Sequence, residues 1–353
     1  MTILQLVPHL EAGGVERGTL EVAAELVRRG HTSLVISGGG RLVPELTQAG
    51  SEHITLPIGA KSPATLRLVG KLRHIIRDRR VDIVHARSRV PAWIGYWACR
   101  GTPARFVTTV HGLYTHPRYS AVMTRGERVM AVSETVRDYI LRTYPTCSPE
   151  KIRVIHHGID PVEFPHGYRP PSDWSAPAPG RRLITLPARI TRWKGQTDFV
   201  ELMTRLRDTQ PDVVGALVGR TDPRRNRFEA ELRRTIARRG LTNILFLGHR
   251  TDMREIYAAS RIVLSLSHDP EAFGRTTLEA LSIGTPVIGY DHGGVAETLG
   301  ALYPVGRVPV GDVTALTERV SAFLQAPPPV PPNDKFLLRD TLARTVAVYE
   351  ELR

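Results

Sequence analysis

Cysteine is nearly absent: Cys99 and Cys147 are the two in 353 residues. That excludes a disulfide framework and a Cys-based zinc site. No apolar run approaches the roughly 18 residues of a membrane-spanning helix. The first residues, Met1 to Gly14, carry no basic leader region and only a short apolar stretch, so no signal peptide is read there and the cytoplasm is the expected compartment. The thirteen His are scattered, with His156-His157 adjacent but no HExxH or other ligand spacing, so no metal ligand set is indicated. Acidic charge is also short, leaving a net charge of +13. Most of the excess lies in residues 1–170, which hold 23 Lys and Arg against 14 Asp and Glu. A nucleic acid, an anionic membrane face, an anionic substrate or simply solvated basic faces would each account for it.

What is present is alternation. Strand-like runs at Ile3–Val7, His31–Ile36, Val81–His85, Arg105–Val110, Arg128–Val132 and Ile152–Ile155 alternate with amphipathic helical patterns. The latter include Val15–Arg29, the basic Pro63–Arg80, Pro91–Arg100 and Glu134–Thr143, with Ser133 as its N-cap. Proline then becomes dense from Pro161 to Gly180, which is linker chemistry. A second alternating set follows. Strands are expected at Leu183–Leu186, Val213–Val218, Ile244–Leu247, Arg261–Leu266 and Pro286–Tyr290. Helices are expected at Gln196–Arg207, Asn226–Arg239, Asp252 (as cap) to Ser260, Thr277–Ile283, Val295–Thr298 and Val313–Leu324. Asn333 is read as the cap of a final helix of about twenty residues.

The expectation is an α/β protein of two doubly wound domains, with ligands at the carboxyl ends of the strands and a cleft between the domains. The boundaries are read as 1–165, a Pro-rich linker 166–180, a second domain 181–330, and a C-terminal helix 331–353 able to pack back on the first domain.

The densest chemistry lies from His268 to Leu281. A strand, a Gly-bearing turn at Phe273-Gly274 and a helix start make an anion site, because the first N–H groups of a helix point outward. Glu271 and Glu279 bracket that turn and could take hydroxyls. Arg189 and Lys194, in the loop after Leu186, could hold a diphosphate, although a solvated basic loop would look similar. Gly13-Gly14 follows the first strand where a phosphate could approach, without a GxGxxG pattern, and an ordinary tight turn would look the same. His111 sits at a strand's carboxyl end.

In this order and spacing, the motifs resemble the retaining GT-B nucleotide-sugar glycosyltransferases of family 4. They are Gly13-Gly14-Val15-Glu16, Val110-His111-Gly112, Val132-Ser133-Glu134, His157-Gly158-Ile159-Asp160, Ala188-Arg189 with Lys194-Gly195, Phe246-Leu247-Gly248 with Asp252, Glu271 to Glu279, Gly284-Thr285-Pro286-Val287 and Gly293-Gly294-Val295-Ala296-Glu297. The resemblance covers nearly the whole chain. It implies that Arg189 and Lys194 hold the donor diphosphate, Glu271 the donor sugar and Glu279 the ribose. It implies that the N–H groups of Phe273, Gly274, Thr276 and Thr277 meet sugar and phosphate, and that Gly248, Arg250 and Asp252 frame the base. Gly13 and Gly14 would approach the diphosphate, and His111 the transferred sugar and acceptor. Arg275 and Thr276 stand where many members carry small or aliphatic residues.

The activity implied is metal-independent transfer with retention of configuration, from a UDP- or GDP-sugar to a glycan or lipid-linked acceptor in surface polysaccharide or lipopolysaccharide assembly. No cofactor is expected, and the chain has no Asp-x-Asp pair to hold a metal. The basic first half adds an anionic inner-membrane surface as a partner, which would make the protein peripheral there. Rival readings are a nucleotide-sugar 2-epimerase of the same fold, a sugar-nucleotide sensor without catalysis, and a basic nucleic-acid-binding protein. The last has no recognition motif in its favour, and no nucleic-acid partner is expected.

Overall fold

The computed structural model describes residues 1–11, 13–221 and 227–353. The chain divides into two compact units, Met1–His156 with Arg339–Arg353, and His157–Leu338.

The first unit carries β1 (Thr2–Leu6), β2 (Thr32–Ser37), β3 (Glu52–Thr55), β4 (Ile83–Ala86), β5 (Arg105–Val110), β6 (Arg128–Ala131) and β7 (Ile152–Val154). All pair in parallel, in the order β3-β2-β1-β4-β5-β6-β7. The second carries β8 (Arg182–Pro187), β9 (Val213–Val218), β10 (Ile244–Gly248), β11 (Ser260–Ser265), β12 (Val287–Tyr290) and β13 (Arg307–Val308), parallel in the order β10-β9-β8-β11-β12-β13. Each is a doubly wound sheet whose strand order reverses once, at β1/β4 and at β8/β11. Such a reversal opens a crevice at the carboxyl ends of the strands, where ligands of open α/β sheets bind.

Local sequence explains the elements. β9 is buried on both faces and accordingly reads as a continuous apolar run, whereas β1 and β2, buried almost throughout, carry Gln5, Ser33 and Ser37 within theirs. The helix Gln196–Leu206 buries Phe199, Val200, Leu202, Met203 and Leu206, the stripe expected at helical spacing. Ser133 caps Glu134–Thr143, its hydroxyl accepting from the Val136 amide at 3.0 Å.

Several expected boundaries move. The basic pattern from Pro63 forms a 3₁₀ turn, Pro63–Arg67, and then a helix, Leu68–Asp78. The short pattern at Val295 extends to Gly293–Leu302. Asn333 accepts from the amides of Lys335 and Phe336 at 3.2 Å each, forming a turn ahead of the last helix, which is Leu338–Glu350. The helix expected from Asn226 runs Arg227–Arg238; Asn226, like Ala12 of the first Gly-bearing loop, lies outside the described residues. The edge strands β3 and β13 and the helix Val43–Gln48 had no counterpart in the sequence reading. They are too short, or too polar on one side, to show a period.

The Pro-rich stretch is not a free linker. It is tied to the second unit by Gly167 N–H to Ile283 O at 2.8 Å, Tyr168 Oη to Glu255 at 2.8 Å, Trp174 Nε1 to Asp252 at 2.8 Å, and His166 Nε2 against Val330 O at 2.9 Å. Proline stiffens the segment and the polar tips of its rings fasten it, so the unit boundaries fall at His156/His157 and Leu338/Arg339. Near both boundaries the chain runs as one parallel bridge, Ile159 against Leu337. Gly158 has to be glycine there: a Cβ would lie 2.3 Å from the Leu337 carbonyl carbon.

The segment Arg339–Arg353 completes the first unit. Val346, Val348 and Tyr349 join Ile3, Val22, Leu26, Ile83, Val107 and Met130 in one core cluster. Glu351 pairs with Arg128 and Arg153, each at 2.8 Å. Tyr349 Oη lies 2.7 Å from His85 Nδ1, and His85 Nε2 lies 2.7 Å from Thr109 Oγ1. Burial pushes His85 well below its usual pKa, so the ring stays neutral and has one donor and one acceptor to place. Tyr349→Phe leaves His85 Nδ1 without its buried partner. It is expected to lower the stability to chemical denaturation by about 1–3 kcal/mol.

Candidate active site

In the second unit the order reverses between β8 and β11, and the loops after these strands meet. The His268 amide donates to Trp193 O at 2.7 Å. Gly195 permits the approach: its φ is +76°, and a Cβ would lie 2.1 Å from Leu266 O. Only glycine combines that backbone with that contact.

This meeting places Lys194 Nζ 2.7 Å from Glu271 Oε1, with the two side chains 12% and 21% exposed. Trp193 lies beneath the ammonium, 4.2 Å from it to the ring centroid. The Ser267 hydroxyl donates to the same carboxylate oxygen, and His292 Nε2 lies 2.7 Å from Ser267 O. Arg189 is exposed on the same loop and has no ion-pair partner among the described residues. Its backbone carbonyl is held by Gln196 Nε2 at 2.9 Å. The loop therefore presents one cation already matched to a carboxylate and one that is unmatched.

The turn follows directly. Gly274, at φ +83°, starts the helix Arg275–Ile283. Gly294 N–H donates to Glu271 O at 2.8 Å, and a Cβ on Gly294 would lie 2.3 Å from Phe273 Cα. Phe273 is buried, edge-on to His157 and Phe336. Thr276 lies in the first turn. The Thr277 amide donates to Gly274 O at 3.1 Å, within the helix start. Thr277 Oγ1 is buried and has no hydrogen-bond partner among the described residues. Glu279 belongs to the second turn of this helix, not the first as the sequence suggested. Tyr257 Oη donates to it at 3.0 Å and Arg275 Nε lies 3.7 Å away. Arg275 thus faces a carboxylate of its own helix.

Farther along, Gly248 closes β10 at φ +63°. Arg250 reaches Asp252 with Nε at 2.8 Å and Nη2 at 2.5 Å, and Trp174 Nε1 donates to the same carboxylate. Asp252 was expected to cap the helix Met253–Ala259, but its side chain makes no cap bond because these two donors occupy it. The Arg250 guanidinium is the main cause that holds its pKa down at about 2. A depressed carboxylate stabilises the fold above its unfolded pKa, and that contribution is lost as pH falls through the folded value. Between about pH 4 and pH 2, Asp252 should cost the protein roughly 1–2 kcal/mol, and Asp252→Asn should flatten that part of a stability-versus-pH curve.

In the first unit the reversal lies between β1 and β4. Gly13 and Gly14 are exposed there, at the start of the helix Gly14–Arg28. A Cβ on Gly13 would meet only the flexible end of Glu16, so no tight approach enforces that glycine. His111 follows β5 and is half-buried, its amide hydrogen-bonded to the Tyr114 phenol. Each expected site residue is thus on a strand's carboxyl-end loop or on the element that follows it, and Lys194 and Glu271 are in direct contact. Sequence reasoning missed Ser267, His292, Tyr257 and Trp174. Only their spacing to Glu271, Glu279 and Asp252 in three dimensions reveals them.

Two family models match the chain: Glycosyltransferase Family 4 over residues 12–163 and Glycosyl transferases group 1 over residues 173–335. A 2-deoxystreptamine N-acetyl-D-glucosaminyltransferase of Streptomyces fradiae is 30% identical over 86% of this chain and 81% of its own length. The chain belongs to glycosyltransferase family 4. A crystal structure of a glycosyltransferase from Rickettsia africae ESF-5 agrees, with TM-score 0.86 and 32% identity over 99% of this chain and 98% of that one. A lipopolysaccharide core biosynthesis mannosyltransferase of Rhizobium meliloti (strain 1021) is 29% identical over 56% of this chain, a match spanning 60% of that protein. This family 4 member is therefore an enzyme that transfers sugars, and its two doubly wound units are those of the GT-B architecture.

Proposed function

We propose that this glycosyltransferase moves a sugar, with retention and without metal, from a nucleoside diphosphate sugar to a glycan or lipid-linked acceptor in lipopolysaccharide or surface polysaccharide assembly. The observation that carries the reading is the Lys194–Glu271 contact at the β8/β11 crevice, beside the unmatched Arg189 and a helix start. The lipopolysaccharide core biosynthesis mannosyltransferase among its relatives supports the acceptor class.

In this reading the second unit holds the donor. Lys194 and Arg189 take the diphosphate and the charge that grows on it, and preorganised cations are worth more there than in water. Glu271 holds a hydroxyl of the sugar, Glu279 the ribose, and the turn from Phe273 to Thr276 offers its amides. Gly248, Arg250 and Asp252 frame the base. The first unit, with Gly13, Gly14 and His111, brings the acceptor. The bond from sugar C1 to the diphosphate oxygen breaks, the acceptor oxygen bonds to C1 on the same face, and the leaving phosphate oxygen takes the acceptor's proton. The basic excess of residues 1–170 would hold the protein at an anionic inner-membrane face. Among the described residues no helix is long and apolar enough to cross a membrane.

A thermal-shift panel of UDP-, GDP- and ADP-sugars tests the donor, since a ligand that binds only the folded state raises Tm. One nucleotide series should raise Tm in the presence of EDTA, and proton NMR of the product should show the donor's anomeric configuration. No shift with any nucleotide sugar, or an inverted product, would overturn the reading. Flotation with anionic and neutral liposomes tests the membrane part, and equal recovery from both would remove it.

A further inference from the structure

We propose that Arg89, laid against the rings of Tyr114 and Tyr119, selects an acceptor bearing a carboxylate or phosphate, so that this enzyme prefers an anionic acceptor to a neutral one. The proposal rests on the reading that the first unit takes the acceptor.

Arg89 opens the helix Arg89–Cys99, just beyond β4, where the strand order of the first unit reverses. It is half-buried. Its guanidinium carbon lies 4.9 Å from the Tyr114 ring centroid and 5.6 Å from that of Tyr119. Its one hydrogen bond, Nη1 to Ser120 Oγ, is long at 3.4 Å, and no carboxylate pairs with it among the described residues. Other arginines of this unit do find acids: Arg17 with Glu45, Arg79 with Glu52, Arg105 with Glu127, and Arg128 and Arg153 with Glu351. Those pairs are surface features. Arg89, at the crevice, has no counter-charge among the described residues, and two residues upstream Arg87 adds a second cation. Arg87 is buried and bonded only to neutral acceptors, Gln5 Oε1 at 2.8 Å and Gly18 O at 2.9 Å.

The backbone that carries the two tyrosines is held independently of any ligand: Tyr139 Oη donates to the Tyr114 carbonyl at 2.7 Å, and Trp93 Nε1 donates to the Tyr119 carbonyl at 3.0 Å. Burial pushes the Tyr114 phenol up to about 12, so it stays neutral and the ring offers its face to the cation. A planar guanidinium stacked in this way keeps its N–H edge for an anion, and carboxylate and phosphate both match that fork. Partial desolvation strengthens the pairing relative to water. Tyr114 and His111 share the loop after β5, so an anion at Arg89 would be held beside the loop that carries His111.

The test uses the full chain with its donor bound, and glucuronate, glucose 6-phosphate and methyl α-glucoside as probes in calorimetric titrations. Wild-type protein should bind the better of the two anionic probes about tenfold tighter than the neutral one. The carboxylate and phosphate arms then show which group is preferred. Arg89→Gln should abolish the difference and Arg89→Lys should keep part of it, while donor binding, which also reports folding, stays unchanged. Equal binding of all three probes to the wild type, or a preference that survives Arg89→Gln in a protein that still binds donor, would overturn the assignment. If no nucleotide sugar binds the wild type, the transfer reading fails and this proposal fails with it.

Discussion

Lys194→Ala is expected to lower kcat by about 100- to 1,000-fold, the usual cost of removing one preorganised group from developing charge. The ammonium does two things in the free protein. It neutralises Glu271 at 2.7 Å, and it sits over the Trp193 ring, largely sheltered from water. Removing it leaves a half-buried carboxylate with Ser267 as its remaining hydrogen-bond donor among the described residues. Loss of stability should therefore accompany loss of rate, and Lys194→Ala combined with Glu271→Gln separates the two. The double variant should recover Tm but not kcat, because groups in one network are not additive. Steady-state kinetics at saturating donor, read beside a denaturation curve, make the comparison. A kcat for Lys194→Ala within about threefold of wild type would show that the cation does not meet the growing charge.

The largest structural effect should come from Gly195→Ala. The residue stands in the left-handed region, which costs a side chain about 1–2 kcal/mol. Its new Cβ would also be driven into Leu266 O, and backbone cannot rotate away as a flexible side chain can. Together the terms predict a loss of roughly 2–5 kcal/mol in chemical denaturation. If the protein folds at all, the loops after β8 and β11 must part, which pulls Lys194 from Glu271. Donor-induced shifts in Tm should then disappear even at low temperature. Gly13→Ala provides the contrast, since its Cβ meets only the movable end of Glu16 and stability should change by less than about 0.5 kcal/mol.

Much of this was legible in the residues. Eleven of the thirteen strands were, because parallel strands buried between helices are written mostly in apolar residues. β13 is two residues long and β3 is Glu-His-Ile-Thr, and neither carries a pattern. Gly195, Gly274 and Gly294 were readable as a motif, although the carbonyls and Cα atoms that demand them lie on other loops. Asp252 was misread as a cap because its competing donors, Arg250 and Trp174, come from a turn and from a segment 78 residues away. The Pro-rich stretch was misread for the same reason: composition reports stiffness, whereas attachment depends on what Tyr168 and Trp174 find in space. The acids Glu271 and Glu279 were found together, but their differing partners, Lys194 for one and Tyr257 with Arg275 for the other, were not.

The composite character of the first unit has a consequence for synthesis. Residues 339–353 leave the ribosome after the whole of the second unit, yet Val346, Val348 and Tyr349 fill the core that Ile3 and Ile83 begin. Translation order and maturation order are therefore inverted: the half made first must wait, with an open apolar seam, for the half made second to be completed. A released chain that ends before residue 339 should engage chaperones through its first unit while its second unit folds.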